Sequence, residues 1–116
     1  MKPQRLLTNL MFVADVTQSA QFYEQLFQTK PIEQDESFCS FRFGDTFFNL
    51  HPADEKSPPA KGGSVGYWLV DDLDAFLTHA QSLGAEIYRG PLFVQETGRT
   101  ICQLEDPFGN VFGVEG

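Results

Sequence analysis

Two stretches of this 116-residue chain follow one plan. In each, a strand-like apolar run ends on valine, aspartate follows within one or two residues, and a helical pattern begins. The first is Leu10-Met11-Phe12-Val13-Ala14-Asp15; the second is Tyr67-Trp68-Leu69-Val70-Asp71-Asp72, about 57 residues further on. A repeat on this scale is weighed before any other fold signal, because it says that one supersecondary unit is built twice. A single such unit leaves one face of its sheet uncovered, so two units in one domain are expected.

The elements between the repeats can be read from periodicity. Residues 6–13 alternate as a strand, and Asp15 or Thr17 caps a helix that runs to about Gln28. Ala20, Tyr23 and Phe27 lie at helical spacing, Phe22 and Leu26 widen the apolar stripe, and Pro31 prevents continuation. Three short strands follow over residues 32–36, 38–43 and 46–51, with Gly44-Asp45 as the last turn. Residues 52–64, which hold Pro52, Pro58, Pro59, Gly62 and Gly63, form a linker. The order then recurs. A strand spans 65–70, Asp71-Asp72 cap a helix over 73–83, and Gly84 ends it. A short strand covers 86–88, a loop forms around Gly90-Pro91, and the stretch to Gly98 is ambiguous. Residues 99–105 and 110–115 close the chain as a hairpin. The expectation is one α+β domain over 1–116, with βαβββ modules at 5–51 and 65–116.

Composition narrows the function classes. Hydrophobic residues make up 41% of the chain and include 12 Phe, enough for a core or an aromatic-lined cavity. The net charge of −8 argues against nucleic acid, whose phosphates demand basic patches. It suits solubility and also attracts cations. Cys39 and Cys102 form no disulfide framework and read as small buried apolar residues. No signal-peptide pattern and no apolar run long enough to cross a membrane is visible, so a cytoplasmic protein is expected.

The C-terminal run Asp106-Pro107-Phe108-Gly109-Asn110 reads as a tight turn feeding a final strand, with Pro presetting φ and Gly supplying a positive one. Taken with Phe12-Val13-Ala14-Asp15, with Phe22-Tyr23 seven residues after Asp15, and with Val70-Asp71-Asp72-Leu73-Asp74-Ala75-Phe76, it resembles the vicinal oxygen chelate superfamily over nearly the whole chain. That group contains glyoxalase I, extradiol dioxygenases, and fosfomycin- and bleomycin-resistance proteins. The resemblance implies paired βαβββ modules forming a curved mixed sheet around a cavity, commonly in a homodimer. Metal enzymes of the superfamily draw ligands from the first and last strands of each module. Those positions fall here on Thr8, Asn49, Val65 and Gly113. Val65 and Gly113 carry no side-chain donor, and Thr8 and Asn49 are weak neutral ones, so no ordinary metal site is expected. A site shifted to His51 and Glu115, two residues further along their strands, is geometrically possible but lacks a good third ligand.

Strand alternation sorts the side chains into two faces. Met11, Val13, Cys39, Phe41, Phe43, Phe48, Leu50, Trp68, Val70, Cys102, Leu104, Phe112 and Val114 are expected against the helices. The opposite face is expected to line the cavity, and Phe12, Arg42, Phe47, Asn49, His51, Tyr67, Gln103, Glu105 and Glu115 are its candidate ligand-binding residues. Phe12, Phe47 and Tyr67 suit stacking on a planar ligand. Glu105 and Glu115 could hold a cation, and Arg42 a carboxylate. His79 on the second helix reads as structural. No nucleophile elbow, P-loop or other catalytic arrangement is present, and no catalytic residue or cofactor is assigned. The reading is a metal-independent small-molecule-binding protein, in the manner of the bleomycin-resistance proteins that sequester a cationic antibiotic. The alternative is a metal-dependent lyase, isomerase or dioxygenase of the glyoxalase type with an atypical site.

Overall fold

A computed structural model describes all 116 residues. The chain forms two compact units, Met1–Pro59 and Ala60–Gly116, each a four-stranded mixed sheet with one helix. This is the α+β arrangement of two βαβββ modules anticipated from the repeat.

In the first unit, β1 (Thr8–Val13), α1 (Val16–Phe27), β2 (Glu33–Asp35), β3 (Phe38–Phe43) and β4 (Thr46–Pro52) give the sheet order β1-β4-β3-β2. β1 runs parallel to β4, and the other pairs are antiparallel. Asp15, rather than Thr17, is the helix cap: its backbone is extended and its carboxylate accepts the Gln18 N–H at 3.0 Å. The helix ends where Gln28 turns left-handed at φ 50°. Helix α1 packs on β3 and β4. It buries Val16, Ala20, Phe22, Tyr23 and Leu26 with Val13, Cys39, Phe41, Phe48 and Leu50. This core is aromatic. Tyr23 meets Phe48 edge-on at 5.1 Å between centroids, and Phe27 meets Phe43 likewise at 5.4 Å, the geometry that ring quadrupoles favour.

In the second unit, β5 (Tyr67–Leu69), α2 (Leu73–Ser82), β6 (Glu86–Val94), β7 (Arg99–Glu105) and β8 (Val111–Glu115) give the order β5-β8-β7-β6. The parallel pair is β5 with β8. Asp72 caps α2 by accepting the Ala75 N–H. Gly84, at φ 100°, ends it in a Schellman turn, with Ala85 N–H bonding Ala80 O and Gly84 N–H bonding Gln81 O. The core here is mainly aliphatic: Leu77, Ala80, Ala85, Leu104, Val111 and Val114 with Cys102 and Phe112.

One element differs from the sequence expectation. The short strand expected at 86–88 and the loop around Gly90-Pro91 are a single nine-residue strand, β6. Its register with β7 slips between Ile87 and Arg89 and again between Arg89 and Leu92. Pro91 falls within the second slip, where the ladder asks no N–H of it, and Gly90 supplies φ 88°. The slips break the alternation beyond residue 88, and residues 86–93 are exposed, so periodicity does not carry the strand past Gly90-Pro91.

Candidate functional site

The register places the candidate residues on one face of each sheet, opposite the helix, and each unit carries its own set. In the first unit, Phe12 pairs with His51, Leu10 with Asn49, and Thr8 with Phe47 across β1 and β4. Ser40 and Arg42 continue two of these rows on β3, opposite Asn49 and Phe47. Phe12 and His51 meet edge to face at 5.6 Å. The Arg42 guanidinium lies 5.9 Å from the Phe47 ring centre, and its Nε donates to Gly44 O at 2.8 Å. Arg42 is therefore engaged by a ring and a carbonyl. The Ser40 hydroxyl donates to Asn49 Oδ1 at 2.6 Å, and His51 Nδ1 lies 2.9 Å from Pro52 O.

In the second unit, Tyr67, Gly113 and Gln103 form one row across β5, β8 and β7, and Leu69, Glu115 and Ile101 form the next. Gln103 Nε2 donates to the Tyr67 hydroxyl at 2.9 Å. Both candidate carboxylates hold a cation of the chain itself: Glu115 accepts from Arg99 Nε at 2.6 Å, and Glu105 lies 3.0 Å from Lys61 Nζ. Lys61 is also 5.9 Å from the Tyr88 ring centre. Glu105 faces Glu86 directly across β6 and β7. Like charges opposite one another are unfavourable, and the Lys61 ammonium offsets that repulsion.

Lys61, Tyr88 and Arg99 are absent from the sequence-derived set. Arg99 was within reach of that reasoning, because it is two residues before Ile101 on the same strand face and diagonal to Glu115. Lys61 was not, since a loop lysine has no period to place it. Tyr88 lies in the first register slip of β6, where parity fails.

The positions to which the superfamily's metal ligands map do not fit a divalent ion. Val65 and Gly113 offer no donor atom, Asn49 Oδ1 already accepts from Ser40, and no group of three or more His, Cys, Asp or Glu side chains is placed to hold a metal. At Gly113 the space itself is filled: a Cβ there would lie 2.5–2.8 Å from Cγ, Cδ1 and Cε1 of the Tyr67 ring.

Two buried thiols complete the chemistry. Burial pushes the Cys39 thiol up to about 11, with the Glu24 carboxylate adding to the effect, and burial raises Cys102 as well. Neither is poised as a nucleophile, because it is the thiolate that reacts.

The fold, the paired modules and the turn at Asp106–Asn110 define a protein of the vicinal oxygen chelate type. The profile of the glyoxalase/bleomycin resistance protein/dioxygenase superfamily matches residues 5–114, and the chain belongs to that superfamily. Among solved structures, it resembles an integron cassette protein from the mobile metagenome of V. cholerae at 27% identity and TM-score 0.71, covering 99% of this chain and 96% of that one. It shares its fold with a glyoxalase/bleomycin resistance protein/dioxygenase family enzyme from Burkholderia phytofirmans PsJN, at 20% identity and TM-score 0.79 over 94% and 95% of the two chains. It also shares it with a lactoylglutathione lyase from Agrobacterium tumefaciens, at 19% identity and TM-score 0.70 over 99% and 95%. No curated protein sequence matches the chain significantly.

Proposed function

We propose that this protein binds a small planar, cationic molecule without a metal and sequesters it, an antibiotic being the version that the resemblance to bleomycin-resistance proteins motivates. The observation that carries the reading is the state of the four ligand positions: Val65 and Gly113 lack a donor, the space at Gly113 being filled by the Tyr67 ring, Asn49 Oδ1 accepts from Ser40, and Thr8 offers only a weak neutral hydroxyl. What surrounds them is suited to holding a flat molecule. In the first unit Phe12 and Phe47 supply ring faces beside the polar Asn49 and His51; in the second, Tyr67 supplies one beside Gln103.

Charge supports the cationic half of the proposal. A net charge of −8 raises the local concentration of cations, and Glu105 and Glu115 already hold an ammonium and a guanidinium. A ligand cation would exchange with Lys61 or Arg99 at these carboxylates. Calorimetric titration with bleomycin-type and other planar cationic drugs is the test. At least one member of such a panel is expected to bind, with affinity falling as salt is raised from 50 to 500 mM. No binding across the panel would remove the antibiotic reading. Elemental analysis of protein purified without chelator tests the other half: a stoichiometric divalent ion would favour a glyoxalase-type enzyme instead.

A further inference from the structure

Gly113 is a glycine without a conformational reason. It lies within β8, is buried, and is not among the glycines with positive φ. A glycine inside a strand weakens the strand through backbone entropy and contributes no packing. What requires it is space: a Cβ at this position would sit 2.5 Å from Tyr67 Cδ1, 2.6 Å from Cε1 and 2.8 Å from Cγ. Those atoms belong to a ring, anchored one bond from its own Cβ, and cannot swing aside like the end of a flexible chain.

The ring is also fixed at its far end. Tyr67, Gly113 and Gln103 are consecutive in one cross-strand row. Tyr67 therefore reaches from β5 across the backbone of β8 to β7, where Gln103 Nε2 donates to its hydroxyl at 2.9 Å. One side of the ring is seated on Gly113, and the residue remains 37% exposed. The equivalent row of the first unit, Leu10-Asn49-Ser40, has no such arrangement: Asn49 carries a side chain, and Ser40 bonds to it directly.

We infer that Gly113, Tyr67 and Gln103 form a preorganised aromatic platform for a flat, unsaturated ring of the ligand, built in the space that a metal-binding side chain at position 113 would need. This deepens the binding function proposed above and rests on it for the identity of the site. The substitution of glycine thus does more than delete a donor. It makes room for the ring, so chelation at this corner and the platform exclude each other. Fixing the ring before the ligand arrives removes the ordering cost of stacking.

The seat can be read without any ligand. By NMR, a Gly113 Hα resonance shifted upfield by the Tyr67 ring current is expected in the native protein, retained in Tyr67→Phe and lost in Tyr67→Leu. Gly113→Ala is expected to lower the melting temperature by roughly 5 °C or more, as over-packing does, and by much less in the Tyr67→Leu background. The platform is read with the planar cation acridine orange as probe. Tyr67→Phe, which keeps the seated ring but loses the Gln103 bond, is expected to bind it up to about 2-fold more weakly than the native protein, and Tyr67→Leu about 5- to 10-fold more weakly, the scale of one aromatic contact. Absence of the ring-current shift overturns the seat, even where Gly113→Ala fails to fold. Equal acridine orange binding by Tyr67→Leu, or no saturable binding by the native protein, overturns the platform. A drug panel that fails while acridine orange still binds through Tyr67 removes the antibiotic reading and leaves this one standing.

Discussion

At the scale of single residues, the same physics gives neighbouring side chains opposite roles. Cys39 and Cys102 occupy helix-facing positions and are fully buried, so their thiols behave as apolar filler. The consequence appears in alkali. The Cys39 thiol titrates at about 11 in the folded chain, against an ordinary 9.0. Its folded value is raised, so its contribution to stability is complete below pH 9 and is lost as pH climbs towards 11, on the order of 2–3 kcal/mol in all. Urea midpoints across that window should fall less steeply for Cys39→Ala than for the native chain; parallel slopes would contradict the assignment. The parity that identified Cys39 as buried also placed Tyr67 on the opposite face, but nothing in the sequence links Tyr67 to Gly113. They are 46 positions apart, and only the parallel pairing of β5 with β8 brings them together.

Elements were legible where chemistry is local. Both helix caps are aspartates following the repeated valine, and in both a carboxylate oxygen accepts a first-turn N–H. The turn that closes the last hairpin is equally local. Asp106 is buried, and its Oδ1 accepts the N–H groups of Phe108 and Asn110, each at 2.9 Å, while Gly109 takes φ 94°. It also lies close to the end of α2, where Pro107 Cγ would be 3.3 Å from a Cβ on Gly84. Asp106→Ala would leave two backbone donors without an acceptor and is expected to cost about 2–3 kcal/mol by chemical denaturation. Asp106→Asn, which keeps an acceptor oxygen, should cost less; equal losses would show that the hydrogen bonds are not the reason for the aspartate. Only the start of β6, residues 86–88, was legible, because the rest depends on a partner. Its slips against β7 absorb Tyr88, Gly90 and Pro91, and Gly90-Pro91 reads as a loop where no pairing strand is in view.

At the scale of the whole molecule, each unit covers one sheet face with one helix. No helix is long and apolar enough to cross a membrane. The second unit ends its sheet on β6, whose residues Leu92 and Phe93 are 60% and 61% exposed beside Ile87 and Tyr88. An open edge with apolar side chains invites pairing with another chain, so the homodimer that the resemblance implies is predicted to form along it. Sedimentation velocity should therefore show a dimer that Leu92→Lys with Phe93→Glu converts to monomer; a native chain that is monomeric at high micromolar concentration would refute this. From its sequence alone, the chain's repeat, its caps, its two strand faces and its lack of donors at Val65 and Gly113 could be determined, because each depends on residues close together or on a period of two. The tertiary structure alone decided what those faces hold. Lys61 on Glu105, Arg99 on Glu115, Ser40 on Asn49 and the Tyr67 ring over Gly113 are contacts made across strands or from a loop, and strand pairing, rather than spacing along the chain, sets which side chains meet.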